Sequence, residues 1–198
     1  MSLRPDLALV ADLIPRGSRV LDLGCGSGEL LAHLMAEAGC RGTGVEIDPA
    51  SVVSAIGAGV PVIELDLDTE LGDFADHSYD VVVLSRTVQT LHRPVEVLQQ
   101  MGRIADRLIV SVPNFGYWRH RLRLLRGRMP MSREIPHAWY DTPNLRHTTL
   151  VELEELFAKL GLAVEQRVVL SPAGVPLRSG DRLYNIVAGS AVYALRVP

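Results

Sequence analysis

Three glycines at alternate positions, Gly24, Gly26 and Gly28, follow the apolar run Val20-Leu21-Asp22-Leu23 and precede Leu30, Leu31, Leu34 and Met35 at helical spacing. A strand that enters such a turn and leaves it as a helix lets backbone N–H groups approach a ligand closely, and the helix N-terminus adds a partial positive charge. Taken alone, the pattern also serves a plain strand-to-helix connection. Three acids sharpen it. Glu46 ends the second predicted strand, 18 residues beyond Gly28, where a carboxylate can accept hydrogen bonds from both hydroxyls of a ribose. Asp66 ends the third strand at the adjoining rim position, within reach of an adenine amino group, and Asp22 enters the turn itself.

A dinucleotide fingerprint, GxGxxG, requires glycine where this chain has Glu29. A carboxylate there opposes a pyrophosphate. Asp22 and Glu29 suit S-adenosylmethionine better, because it brings no phosphate and carries an ammonium and a sulfonium, although Glu29 also fits a solvent-facing place on the first helical turn. Methyl transfer from a sulfonium is an in-line displacement with a good leaving group, so positioning matters more than acid–base machinery. A base near the end of the fourth strand would still help a neutral acceptor. Ser85, Arg86, Thr87, Gln89 and His92 stand there, with His92 the candidate base against a bland reading as a surface or capping residue. Cys25 reads as a small packing residue rather than a nucleophile. The histidines show no HExxH-type spacing, so no metal site is expected. The chain also lacks the Asn/Asp-Pro-Pro-aromatic and Pro-Cys sequences that methylate nucleic-acid bases.

The elements that must hold these residues alternate regularly. Leu7, Val10, Ala11 and Ile14 make a helical stripe stopped by Pro15; strands are predicted at 19–23, 42–47, 61–65, 79–84 and 107–112. Asp48 can cap a helix beginning at Pro49, and Val95, Leu98 and Met101 mark another. Such alternation predicts right-handed crossovers and a Rossmann-like, doubly wound α/β sheet that is mostly parallel. Residues 114–149 break the rhythm. A helix over 149–160 and two strands at 162–170 and 189–197 follow, joined by the Pro- and Gly-rich stretch Ser171 to Gly180 and able to pair as an antiparallel hairpin.

With 198 residues, 47% hydrophobic and 22% charged, residues 1–198 read as one domain with a lid or docking insertion at about 114–149. A formal net charge of −3 argues against broad nucleic-acid binding. Two cysteines without CxxC spacing, no apolar run of membrane length and no leader pattern at the N-terminus point to the cytoplasm.

Val20-Leu21-Asp22-Leu23-Gly24-Cys25-Gly26-Ser27-Gly28 resembles the first motif of class I S-adenosylmethionine-dependent methyltransferases. The likeness continues through Gly44-Val45-Glu46-Ile47-Asp48, Leu65-Asp66-Leu67 and Phe74 to Val82 into the late hairpin. It implies a seven-stranded sheet with an antiparallel C-terminal strand. Cofactor contacts would come from Asp22, Gly24, Cys25, Gly26, Gly28, Glu46, Ile47, Asp66, Leu67 and Ser85, with S-adenosylmethionine or S-adenosylhomocysteine bound. Narrower blocks resemble the MetW family of methionine biosynthesis: Leu84 to Gln89, Ser111 to Trp118, Arg126 to Pro130 and Trp139 to Asn144. That resemblance implies an accessory role beside homoserine O-acyltransferase; the alternative is an active methyltransferase acting on a small molecule.

Residues 116–133 contain six arginines and no acid. Trp118, Leu122 and Leu125 share one helical face, while Arg119, Arg123 and Arg126 share another. Three uses compete: a lid helix with its apolar face on the core, a docking surface for a protein, and, least, contact with RNA.

Overall fold

The computed structural model describes residues 3–177 and 183–198. Among these residues seven strands form one sheet: β1 (Arg19–Leu23), β2 (Arg41–Glu46), β3 (Val62–Glu64), β4 (Val81–Ser85), β5 (Arg107–Pro113), β6 (Ala163–Leu170) and β7 (Ser190–Arg196). Their lateral order is β3-β2-β1-β4-β5-β7-β6. β1 to β5 pair in parallel, and β7 runs antiparallel to both β5 and β6. The late hairpin is therefore present, with β7 inside the sheet and β6 at its edge. The strand order reverses between β1 and β4, which places the mouth of the sheet at the end of β1.

Among the described residues seven α-helices connect and cover the strands: α1 (Pro5–Asp12), α2 (Glu29–Ala38), α3 (Pro49–Gly57), α4 (Pro94–Ile104), α5 (Trp118–Leu125), α6 (Leu150–Lys159) and the short α7 (Tyr184–Val187). Strand residues alternate between two cores. Val20, Val81, Val83 and Ile109 meet α1 and α2 through Leu7, Val10, Leu31 and Leu34. Leu21, Val82, Leu84 and Leu108 meet α4 and α6 through Leu98, Met101, Leu153 and Phe157. Period-two burial on both faces is what β-branched parallel strands give.

Caps fall where the residue types demand. The Asp48 carboxylate accepts the Ser51 N–H at 2.9 Å and starts α3. Thr149 and Glu152 exchange hydrogen bonds as a capping box at the start of α6. β4 begins two residues later than its apolar pattern predicts, because Asp80 accepts the Arg19 N–H at 2.7 Å and its guanidinium at 2.7 Å. α7 carries no sequence signal strong enough to predict it. The expected connection from Ser171 is described as far as Leu177; residues 178–180, and Met1 and Ser2 of the leader reading, lie outside the described residues. Among the described residues no helix is long and apolar enough to cross a membrane.

Residues 114–149 hold α5 and otherwise irregular chain. Of the three competing uses, the lid would put the apolar face of α5 on the core; Trp118, Leu122 and Leu125 are instead exposed, and the buried residue of α5 is His120. Its Nδ1 lies 3.2 Å from the Asn114 carbonyl. Burial lowers the His120 pKa, which keeps the ring neutral.

Candidate functional site

At the carboxyl end of β1 the chain turns through Gly24, Gly26 and Gly28, with φ of 74°, 55° and 76°. The Gly24 and Cys25 N–H groups both donate to the Val45 carbonyl, at 2.8 and 3.0 Å, folding the turn against β2. A Cβ at position 24 would lie 2.5 Å from Thr87 Oγ1, so only glycine satisfies both the dihedral and the contact. A Cβ on Gly26 would meet nothing within 4 Å; the turn is open at that point. Gly28 is the N-cap of α2 and faces Val60 and Ala55 rather than the opening.

A cavity of about 250 Å³ opens beside this turn, lined by Asp22, Gly24, Cys25, Gly26, Ser85 and Arg86 among others. Asp22 is 3% exposed, and its Oδ1 has no hydrogen-bond partner among the described residues. Burial, reinforced by the negative charge of Glu46, pushes its carboxyl up to about 7. A buried carboxylate lacking a partner is costly, so a cation entering the cavity gains a pairing that the protein itself does not supply. Cys25 packs against Gly44, where a Cβ would come within 2.5 Å of its Sγ. Burial, followed by the charges of Asp22 and Glu46, pushes the Cys25 thiol up to about 12, which leaves it an unreactive thiol.

Glu46 stands at the lip. Its Oε2 accepts the Gly26 N–H at 2.8 Å, and its Oε1 accepts those of Ile47 and Asp48 at 2.9 and 3.0 Å. Two carboxylate oxygens offer about four lone-pair sites, so the group keeps acceptor capacity. The Leu65 N–H donates to the Glu46 carbonyl at 3.1 Å, which sets Asp66 and Leu67 beside it. Asp66 Oδ1 accepts the Asp68 N–H at 2.9 Å, and the Ile47 side chain is 62% exposed.

The sequence-predicted residues thus fall in two adjoining places. Asp22, Gly24, Cys25, Gly26 and Ser85 line the cavity, whereas Glu46, Ile47, Asp66 and Leu67 lie outside that lining, at and just beyond the ends of β2 and β3. The Glu46–Gly26 hydrogen bond joins the two. His92 is exposed and stands outside the cavity lining; its N–H donates to Asp68 Oδ2 at 3.0 Å.

Sequence reasoning set Arg86 at this end of the sheet without its partners. The residue adopts φ 56°, rare for a residue with a Cβ. Its N–H donates to the Ser111 carbonyl at 2.9 Å, and its guanidinium pairs with Asp6 of α1, at 2.9 Å, and with Glu134 of the 114–149 segment. Both carboxylates are nearly buried. No local pattern signals a pairing across 80 and 48 residues; the arginine at a strand end was the one visible clue.

Comparison with known proteins agrees with this architecture. A bifunctional methionine biosynthesis protein MetXA/MetW of Rhodopirellula baltica is 33% identical over 98% of this chain, which spans 33% of that protein. A ubiquinone biosynthesis O-methyltransferase of Paracidovorax citrulli is 33% identical over 45% of this chain and 40% of its own length. The chain therefore spans well under half the length of these curated relatives. A solved S-adenosylmethionine-dependent methyltransferase of Mesorhizobium loti superposes with a TM-score of 0.71 at 16% identity, covering 98% of each chain. One of Thermotoga maritima gives 0.70 at 20% identity, covering 98% of this chain and 88% of its own. At such identities the likeness is one of fold, the class I methyltransferase fold. The family model described as methionine biosynthesis protein MetW matches residues 4–195, and the chain belongs to that family.

Proposed function

We propose that the chain binds S-adenosylmethionine, or S-adenosylhomocysteine, at the glycine turn and serves in the cytoplasm as an accessory partner of homoserine O-acyltransferase. The unpartnered oxygen of buried Asp22 carries the ligand half of this reading. It would take the ligand's ammonium, and the open face of Gly26 admits the amino-acid part close to the backbone. The spare lone pairs of Glu46 would receive the ribose hydroxyls and Asp66 the adenine amino group, with the exposed Ile47 and half-buried Leu67 covering the flat ring. Ser85, whose hydroxyl lies 2.9 Å from that of Ser111, would border the amino-acid part. When bound, the cofactor supplies a methyl group on a sulfonium, open to in-line displacement.

The partner half rests on the relative that bears both names, MetXA and MetW, on one chain. The surface offered for it is the 114–149 insertion of a single 1–198 domain. Trp118, Trp139 and Tyr140 are exposed there in a segment rich in arginine, the residue types that dominate interface hot spots, and the exposed Leu122 and Leu125 add apolar area. Mixing the chain with the acyltransferase from the same source tests this. A complex at micromolar concentration, lost in Leu122→Asp and Trp139→Asp, is expected; no complex together with unchanged acyltransferase activity overturns it.

A second reading, a small-molecule methyltransferase, is favoured by one observation: a further cavity adjoins the first and shares Arg4 and Arg86 with it. It predicts that S-adenosylhomocysteine accumulates when the chain and S-adenosylmethionine are incubated with a cell extract.

A further inference from the structure

That further cavity, of about 100 Å³, lies between α1, the end of β4, the 114–149 segment and the start of β7. One water needs only about 10–15 Å³ of such space, so there is room for a molecule of several non-hydrogen atoms. Its polar lining is Arg4, Asp6, Arg86, Arg133, Glu134 and Ser190.

Two atoms here have unmet hydrogen-bonding capacity. Ser190 is 4% exposed, yet its Oγ has no partner among the described residues. Asp6 Oδ2 is ion-paired with Arg86 Nε, but the N–H is not aimed at it and makes no hydrogen bond. Buried polar atoms of this kind imply a ligand or ordered water. Charge selects which ligand: three guanidiniums, Arg4, Arg86 and Arg133, face two carboxylates, Asp6 and Glu134, so the lining is net positive even with Arg86 bridging both acids and Arg4 Nε 3.6 Å from Asp6 Oδ1. Arg86 is itself held in a left-handed conformation, a kind of outlier that persists where surrounding structure over-determines it and that clusters at ligand clamps.

We infer that this cavity binds a small carboxylate carrying a hydroxyl or amino group, the carboxylate on exposed Arg4 and Arg133 and the second polar group on Ser190 Oγ. The cavity shares Arg4 and Arg86 with the first, but neither Ser190 nor Arg133 lines that one, so substitutions at these two residues separate this site from the cofactor reading.

Saturation-transfer NMR on the full chain with L-serine, 3-hydroxybutanoate and their amides tests it. Both acids should bind in the millimolar range and their amides about tenfold more weakly, the loss of a charged hydrogen-bond pair. Ser190→Ala should weaken the acids roughly threefold to tenfold. Arg133→Gln, an exposed substitution that spares the fold, should also weaken them, with S-adenosylhomocysteine affinity unchanged in both variants. The inference is overturned by no transfer from either acid, by equal binding of acids and amides, by inorganic phosphate outcompeting both acids, or by undiminished binding in both variants. Carboxylate binding by a chain that ignores S-adenosylhomocysteine would remove the cofactor reading alone.

Discussion

The Gly26 N–H donates to Glu46 Oε2 at 2.8 Å and ties the glycine turn to the end of β2. One carboxylate therefore both shapes the turn and presents acceptor capacity at its lip. Replacing it with glutamine removes an acceptor from one side, because an amide accepts only at its oxygen. Glu46→Gln should lower the melting temperature and weaken S-adenosylhomocysteine binding by about 1.5–3 kcal/mol, the range for hydrogen bonds to a charged group. Thermal denaturation and calorimetry measure the two effects; wild-type values in both would remove Glu46 from the site.

Asp22 gives the site a pH signature. Its carboxyl titrates at about 7 in the folded chain, against about 4 in the unfolded one. Between those values the folded state holds a proton that the unfolded state has released, so stability declines as pH rises through this window and levels off above it. The ligand's ammonium needs the ionised form. Affinity for S-adenosylhomocysteine should therefore fall as pH drops below about 7, approaching tenfold per unit. Asp22→Asn should bind weakly and lose this dependence. Calorimetry across the window decides, and a flat wild-type profile would contradict the assignment.

Gly24→Ala tests the turn itself. The new Cβ would meet Thr87 Oγ1 at 2.5 Å with φ at +74°, and the left-handed conformation alone costs about 1–2 kcal/mol. Chemical denaturation should show a loss of at least about 2 kcal/mol. A Gly24→Ala chain as stable as the parent would mean that the turn relaxes away from Thr87.

Much of this was legible because it is local. The apolar run of β1, the glycine turn, the Asp48 cap and the β-branched cores of β4 and β5 each declare themselves within about ten residues. That Asp22, Glu46 and Asp66 would stand at one end of the sheet was legible because strand ends in a parallel sheet share one rim. What escaped is set by distance in sequence or by competition. The Asp6–Arg86–Glu134 bridge joins residues 80 and 48 apart. The apolar residues of α5 have helical spacing, but His120 takes the inward place, and periodicity alone does not tell a core-facing stripe from an uncovered one. That the Glu46 carboxylate also anchors the turn leaves no trace in composition.

Glu154 offers a control distant from the site. Its Oε1 accepts the Tyr193 hydroxyl at 2.8 Å and its Oε2 that of Tyr184 at 2.9 Å, with Arg167 Nη1 at 3.1 and 3.2 Å. This one acceptor ties α6 to β6, β7 and α7. Burial, with the hydrogen bond to Glu154, holds the Tyr193 hydroxyl far above the usual range, so it stays a donor. Glu154→Ala should cost about 3 kcal/mol of stability and leave S-adenosylhomocysteine affinity at its wild-type value. Denaturation and calorimetry on the same preparation separate the two.

The most direct measurement is an isothermal titration of S-adenosylhomocysteine into the chain and into its Asp22→Asn and Glu46→Gln variants at neutral pH. One saturable site is expected in the parent, weakened in each variant. No heat of binding in the parent, or equal affinity in all three, would contradict it.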